Sequence, residues 1–248
     1  MPVYKDKALE RIREKLRPTA SVINKALKSN TKEADTRTIV LDILTEMLGW
    51  DKFENITAEY AIKGGYADYA IVKTDEKGRR VIYAIVEIKQ IGMKLNEGHI
   101  RQAKNYAVNE GVKWVIVTNA NDWMVFRIEF NKRKQQPTPE AYPVFSVTIN
   151  DTDIRPGERA EEIYLLSEEA SRKNELEEWY QKWLAISPDN LVKKILSGEV
   201  LDRIRLAIKH EINVNFSNEE IATQIIENVI REDTKPQNSA YYLKKLAK

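Results

Sequence analysis

The sequence predicts a three-layer α/β fold with a central mixed β-sheet flanked by helices, followed by an all-helical C-terminal extension. Three observations carry this. A helical stretch leads into three strand patterns, a second helical stretch and then further strands, an order that places helices on both faces of one sheet. The segment Val81-Ile-Tyr-Ala-Ile-Val-Glu87-Ile-Lys89 is apolar on both faces until its last residues, as befits a strand running through the middle of a buried sheet. Beyond Gly157 the strand patterns stop and helical periodicity takes over.

The elements follow in order. Residues 4 to 17 and 19 to 29 alternate charge with apolar spacing at helical period and predict two short amphipathic helices broken at Pro18. A stronger helix is predicted from Glu33 to Leu48, stopped by Gly49. A short strand over Glu59 to Ile62, a Gly64-Gly65 turn and a strand from Ala67 to Lys73 come next. The turn Asp75-Glu-Lys-Gly78 then leads into the strand 81 to 89 and closes a hairpin. Residues 95 to 110 read as helix, Trp114 to Thr118 as a short buried strand, and Trp123 to Phe130 with Tyr142 to Ile149 as a further strand pair. Pro137 to Pro139 reads as a loop. Asp151 to Gly157 marks the expected boundary between a domain over 1–152, with its core at about 30–130, and a helical domain over 153–248. Breaks in the latter are expected near Pro188, Gly198, Asn213 to Asn218 and Pro236.

Composition narrows the chemistry. There are no cysteines and two histidines, which excludes disulfides, thiol nucleophiles and cysteine-ligated zinc and argues against a histidine-rich metal site. Carboxylates remain as hard ligands, favouring magnesium or manganese. No window approaches the ~20 consecutive apolar residues of a membrane span, and the N-terminus lacks a signal-peptide core; a cytoplasmic protein that meets no membrane is the expectation. The net charge of +2 is no nucleic-acid signature, but its distribution is uneven. From Lys73 to Lys104 eight Lys/Arg face four acids, and Arg127, Lys132, Arg133 and Lys134 face Glu129 alone, whereas residues 158 to 178 carry eight glutamates against three basic residues. The phosphate-loop pattern Gly-x-x-x-x-Gly-Lys-Ser/Thr is absent, so no motor of that class is expected.

The chemistry gathers at one strand tip. Side chains alternate along a strand, so Glu87 and Lys89 emerge on the same face about 6.6 to 6.8 Å apart along the backbone. Asp68 lies near the start of the partner strand, which an antiparallel hairpin sets beside the end of the other. Two carboxylates and a lysine meeting at one point suit phosphodiester hydrolysis, where a carboxylate-held divalent ion activates water and relieves phosphate charge. Asp68 and Glu87 are the expected ligands, the Ile88 backbone carbonyl a third, and Lys89 the group that positions water or stabilises developing charge. Alone, Glu-x-Lys reads better as a solvated strand end, with Asp68 paired to Lys89. The balance reverses because Gln102 and Tyr106 follow, four apart on one helical face, with His99 three before Gln102. Tyr106 reads equally as core and His99 as surface.

Glu33 and Arg37 fall inside the apolar stripe of Val40, Leu41, Leu44, Met47 and Leu48. For Glu33 a place in the site and a capping box with Asn30 fit equally well. In the tail, Trp179 and Trp183 read as inter-helix packing, Asn218-Glu-Glu as a helix start, and Lys244, Lys245 and Lys248 as a solvated end.

These motifs together resemble the N-terminal nuclease domain of type I restriction enzyme R (motor) subunits, within the PD-(D/E)XK nuclease superfamily. Three stretches carry the resemblance: Glu33-Ala-Asp-Thr-Arg37 running to Leu48-Gly-Trp50; Glu59 through Gly65-Tyr-Ala-Asp68-Tyr-Ala-Ile71; and Glu87-Ile-Lys89 to Gln102-Ala-Lys-Asn-Tyr106. Val112-Lys-Trp114 to Thr118-Asn119 and Trp123 also match. The resemblance implies a restriction-endonuclease-like core that cleaves DNA with Mg2+, for which Mn2+ can substitute. It implies Asp68 and Glu87 as metal ligands, Lys89 as the catalytic lysine, Gln102 with Tyr106 as the helix motif, and Glu33 and Glu59 as auxiliary acids. Ala67 stands where the superfamily's name has proline, and the motor is missing, which points to a stand-alone nuclease of a defence locus or mobile element. DNA is the expected partner, with a homodimer and a regulatory or motor protein as further ones. The alternative is a nucleic-acid-binding or partner-regulated module with little or no cleavage; a third reading gives residues 158 to 248 a structural or regulatory role, their acidic first helix shielding the basic site until a partner displaces it.

Overall fold

The computed structural model describes residues 3–63, 65–75, 77–130, 139–151 and 153–234. Gly64 of the expected turn, the proline loop at 137–139, the break at Pro236 and the lysines at 132, 134, 244, 245 and 248 fall wholly or partly outside them.

The chain opens with one helix, α1 (Val3–Lys28), where the sequence predicts two. Pro18 sits inside it without ending it. Proline deletes the hydrogen bond to the carbonyl four residues back, here that of Glu14, and both residues are exposed, so the orphaned acceptor lies on the solvent-facing side of the helix. On the other side the buried residues Leu9, Ile12, Leu16 and Ile23 continue as one stripe across the proline, so packing holds the two halves in line. Helix α2 (Glu33–Asp42) passes into a π-helical turn (Ile43–Met47) that ends at Gly49, in the left-handed region at φ +78°.

Six strands form one mixed sheet in chain order, β1 (Ile56–Ile62), β2 (Gly65–Thr74), β3 (Arg80–Ile88), β4 (Trp114–Thr118), β5 (Asp122–Glu129) and β6 (Glu140–Thr148). Every neighbouring pair is antiparallel except β3 and β4, which are parallel and joined by helix α3 (Glu97–Glu110). A parallel connection needs such a crossover. Asn96 caps α3, its side chain accepting from the Gly98 and His99 amides, and Gly111 closes it at φ +67°. The buried face of α3 is narrow, Ala103 and Ala107, and lets the helix lie close to Ala70, Ile85, Val115 and Val117 of the sheet. Ala84, Val86 and Ile88 alternate to the other face and are fully buried; α2 packs on β3 there. The three-layer mixed architecture expected from the sequence is therefore present, with β3 at its centre.

The chain divides between Leu176 and Glu177, later than the boundary expected at 152/153. The intervening helices α4 (Pro156–Tyr164) and α5 (Glu168–Arg172) pack on α1, and α4 also reaches β6. Buried Arg159 fastens α4, donating to the carbonyls of Ile149 and Ile154 at 2.7 Å each. Trp50 Nε1 donates to the Leu166 carbonyl at 2.9 Å. These polar ties between distant segments carry no periodicity, so the boundary is not visible in sequence pattern.

Helix α6 (Glu175–Ala185) bridges the division, and the second unit holds α7 (Pro188–Ile195), α8 (Gly198–Ile212) and α9 (Asn218–Gln224) around its own apolar cluster of Val192, Leu196, Leu201, Ile221, Ala222 and Ile226. The breaks near Pro188, Gly198 and 213–218 fall as predicted. The capping residue of α9 is Ser217, one before the expected Asn218, and it forms a capping box with Glu220. Trp183 stacks on Tyr180 at 6.1 Å.

Candidate active site

Glu87 stands where three strands meet. It faces Val117 of β4 on one side; the β2–β3 register runs to Tyr69 opposite Val86, and its next step sets Asp68 opposite Glu87. Both carboxylates are buried, with side chains 9% exposed for Asp68 and 3% for Glu87. Beyond that point the Ile88 amide donates to Asp68 Oδ2 at 2.7 Å, so the side chain occupies the place of a ladder acceptor.

Lys89 leaves the strand on the Glu87 side, as period two requires, and its Nζ donates to Glu87 Oε1 at 2.6 Å and to Gln102 Oε1 at 3.4 Å. Gln102 Nε2 in turn donates to the Tyr106 hydroxyl at 3.2 Å. A continuous hydrogen-bonded line thus runs from Tyr106 through Gln102 and Lys89 to Glu87, and the i, i+4 pair on α3 is what orients the lysine. Gly65 makes room for it: a Cβ there would lie 2.8 Å from the Tyr106 hydroxyl.

The other carboxylate has a different partner. Arg37 Nε lies 2.7 Å from Asp68 Oδ1, off its N–H axis, so that N–H has no well-aligned acceptor. Arg37 also reaches Glu33 at 3.4 Å and Glu59 at 3.9 Å, and its main-chain carbonyl accepts from the Tyr69 hydroxyl at 3.1 Å. In place of the Asp68–Lys89 pair of the solvated-strand-end alternative there are two separate pairs, Asp68 with Arg37 and Glu87 with Lys89. Glu33 does not form the capping box with Asn30: Lys32 holds the cap position without a side-chain bond, and Asn30, at φ +49°, accepts from Gln90. Glu33 and Glu59 border the site through Arg37 rather than touching the Asp68–Glu87 pair. Arg37 is the residue whose place sequence reasoning left unassigned; its signal was the four-residue spacing from Glu33 on an inward stripe.

Burial raises the pKa of Asp68 against the opposing pull of the Ile88 amide and Arg37. Burial likewise raises that of Glu87, against its bond to Lys89. His99, at the start of α3, is half-buried rather than on the surface; burial and then the Lys89 charge lower its pKa.

Among the described residues no group of three or more His, Cys, Asp or Glu side chains is arranged to hold one metal ion. A divalent ion here would be held by two carboxylates, a main-chain carbonyl and water, the ligand economy typical of Mg2+. Glu87 Oε2 fits such a role: it is buried and has no hydrogen-bond partner, a costly state for an anionic oxygen unless something binds it.

A mixed six-stranded sheet flanked by helices, with this acid pair and lysine at the tip of its central strand, defines a restriction-endonuclease-like α/β fold. Residues 32–141 match the family described as Type I restriction enzyme R protein N terminus, the family that the ordered motifs resemble. No curated protein and no solved structure matches the chain. Among the described residues no helix is long and apolar enough to cross a membrane.

Proposed function

We propose that this chain is a Mg2+-dependent endonuclease that hydrolyses DNA phosphodiester bonds, of the restriction, defence or mobile-element type, with Mn2+ able to substitute. The observation that carries it is the buried pair Asp68 and Glu87, opposed across two strands with Glu87 Oε2 unpartnered and Lys89 beside it. When bound, the divalent ion supplies polarisation of the phosphate and a water acidic enough to attack at neutral pH. Asp68, Glu87 and the Ile88 carbonyl would hold it; strand geometry sends that carbonyl off the same edge as the Ile88 amide that meets Asp68.

Lys89 does the remaining work from a fixed position. Held between Glu87 and Gln102, its ammonium lies where it can orient the attacking water or offset charge on the phosphoryl oxygens. Gln102 and Tyr106 restrict its rotamers before substrate arrives, so less ordering remains for the transition state. The family match supports a nuclease-type domain and DNA as substrate.

The test uses supercoiled plasmid and single-stranded circular DNA with Mg2+, Mn2+ or EDTA, comparing the wild type with Lys89→Ala. Metal-dependent cutting by wild type, reduced at least about 100-fold in the variant, is expected, with DNA binding retained in both. DNA binding without cleavage under every condition would replace this reading with that of a binding module.

A further inference from the structure

Arg37 occupies the position that a cation at Asp68 would take. The two oxygens of Asp68 are engaged differently: Oδ2 by the Ile88 amide at 2.7 Å and Oδ1 by the Arg37 guanidinium at 2.7 Å. The first contact is a main-chain bond inside the sheet and has no alternative. The second comes from a side chain 35% exposed, off its N–H axis, on a helix that the Tyr69 hydroxyl anchors through the Arg37 carbonyl. The helix is therefore fixed while the guanidinium has somewhere else to go: Glu33 and Glu59, 40% and 77% exposed, already stand within 3.9 Å.

Charge gives the reason for a move. Four carboxylates, Glu33, Glu59, Asp68 and Glu87, surround two cations, Arg37 and Lys89, so the cluster carries a formal charge of −2 that one divalent ion would neutralise. Such an ion at Asp68 and Glu87 would repel the guanidinium from Oδ1 at close range in a poorly screened site. Displaced toward the exposed Glu33 and Glu59, the guanidinium would stand at the rim, its planar fork suited to two phosphate oxygens.

On the basis of the nuclease reading above, we infer that Arg37 is a metal-displaced latch: it holds Asp68 Oδ1 while the site lacks its ion, and passes to the phosphodiester backbone once the ion binds. It is a positioning residue for Asp68 and a contact residue for DNA. The arrangement couples the two ligands, since metal frees the arginine that DNA needs.

The test is calorimetric titration of the full chain with Mn2+ without DNA, and DNA binding in Ca2+ measured by fluorescence anisotropy, for wild type, Arg37→Met and Arg37→Lys. Removing the competitor should tighten Mn2+ binding about three- to tenfold in Arg37→Met, while DNA affinity in Ca2+ falls about tenfold. Arg37→Lys, which keeps charge but lacks the fork, should return Mn2+ affinity toward wild type and guards against a folding defect in the methionine variant. A purely structural arginine would give the opposite sign for Mn2+, weaker binding on its removal. Unchanged or weaker Mn2+ binding in Arg37→Met beside a wild type that binds overturns the latch alone, and unchanged DNA affinity overturns the transfer to phosphate. A wild type that binds no Mn2+ overturns both the latch and the metal-dependent nuclease.

Discussion

Lys89 and Glu87 are the residues whose energetics can be read most directly, because neither has much access to water. Their side chains are 13% and 3% exposed, so removing the lysine strands an anion; breaking a buried pair from one side costs about 3–5 kcal/mol. Burial already raises the Glu87 pKa and Lys89 is the main opposing influence, so in metal-free Lys89→Met it should rise further. A carboxylate with a raised folded-state pKa takes up its proton more readily folded than unfolded, so its penalty is full at high pH and fades as pH falls toward the unfolded value of about 4.3. The stability deficit of Lys89→Met, from urea titrations in EDTA, should therefore be larger at pH 8 than at pH 5.5; an equal deficit would mean that Glu87 does not take up the proton. At this scale the sequence revealed much of the site. Asp68, Glu87 and Lys89 converge as strand spacing requires, and the four-residue spacing of Gln102 and Tyr106 puts both on the face of α3 that packs against that strand tip. Arg37 was legible only as an inward-facing arginine four residues from Glu33, its partner left unassigned, since the link to Asp68 depends on how α2 sits against β2, which the stripe does not specify. Asn30 failed as a cap for the same kind of reason, being engaged by Gln90 across the fold.

Among the elements, α1 departs most from its sequence reading, and it offers a clean experiment. Pro18 lies in its interior on an exposed face, so Pro18→Ala should restore one helical hydrogen bond and relieve the ring clash. A gain of about 1–3 kcal/mol is expected, the upper figure reduced by the entropy that alanine returns to the unfolded chain; a thermal melt that does not rise would mean that the helix is bent to suit the proline. The same helix is tied to its neighbours by Arg11, whose Nε donates to the Met47 carbonyl at 3.0 Å and whose two terminal nitrogens meet Glu169 at 2.7 and 2.8 Å. Burial, the largest single influence, raises the Glu169 pKa, but the Arg11 hydrogen bond, the Glu169 backbone amide and the charges of Arg11 and Arg172 together outweigh it and the net shift is downward. A lowered carboxylate pKa contributes stability that is full above the unfolded value of about 4.3 and is lost as pH falls through the folded value. Glu169→Gln should thus cost about 1–3 kcal/mol at pH 7, with wild type and variant converging near pH 3; a gap that persists there would assign the loss to packing. The strands were largely legible, β4 to the residue, because alternation and apolar runs report burial directly. Pro18 misled because proline's local cost can be outvoted by a continuous buried stripe, and α4 and α5 joined the first unit through Arg159 and Trp50, contacts that no window of sequence contains.

For the molecule as a whole, the number of sites per chain sets what it can do to a duplex. The described residues bring together one set of paired carboxylates and lysine, at the tip of β3, whereas duplex DNA has two antiparallel strands that must each be cut for a double-strand break. A single site can nick; cutting both strands at one place requires a second site related by the local two-fold symmetry of the duplex, which a homodimer supplies. If the proposed activity is correct, nicking of supercoiled plasmid should be first order in protein, while conversion to linear product at limiting concentration should rise with the square of protein concentration. Light scattering under the same conditions should show dimers where linear product accumulates. Mixing wild type with excess Lys89→Ala separates the alternatives further. Mixed dimers would nick and not linearise, so the inactive partner should suppress linear product well before it suppresses nicking. A protein that is monomeric by light scattering and still linearises plasmid without a concentration lag, unaffected by the inactive variant, would show that one site reaches both strands in turn and would remove the need for the dimer.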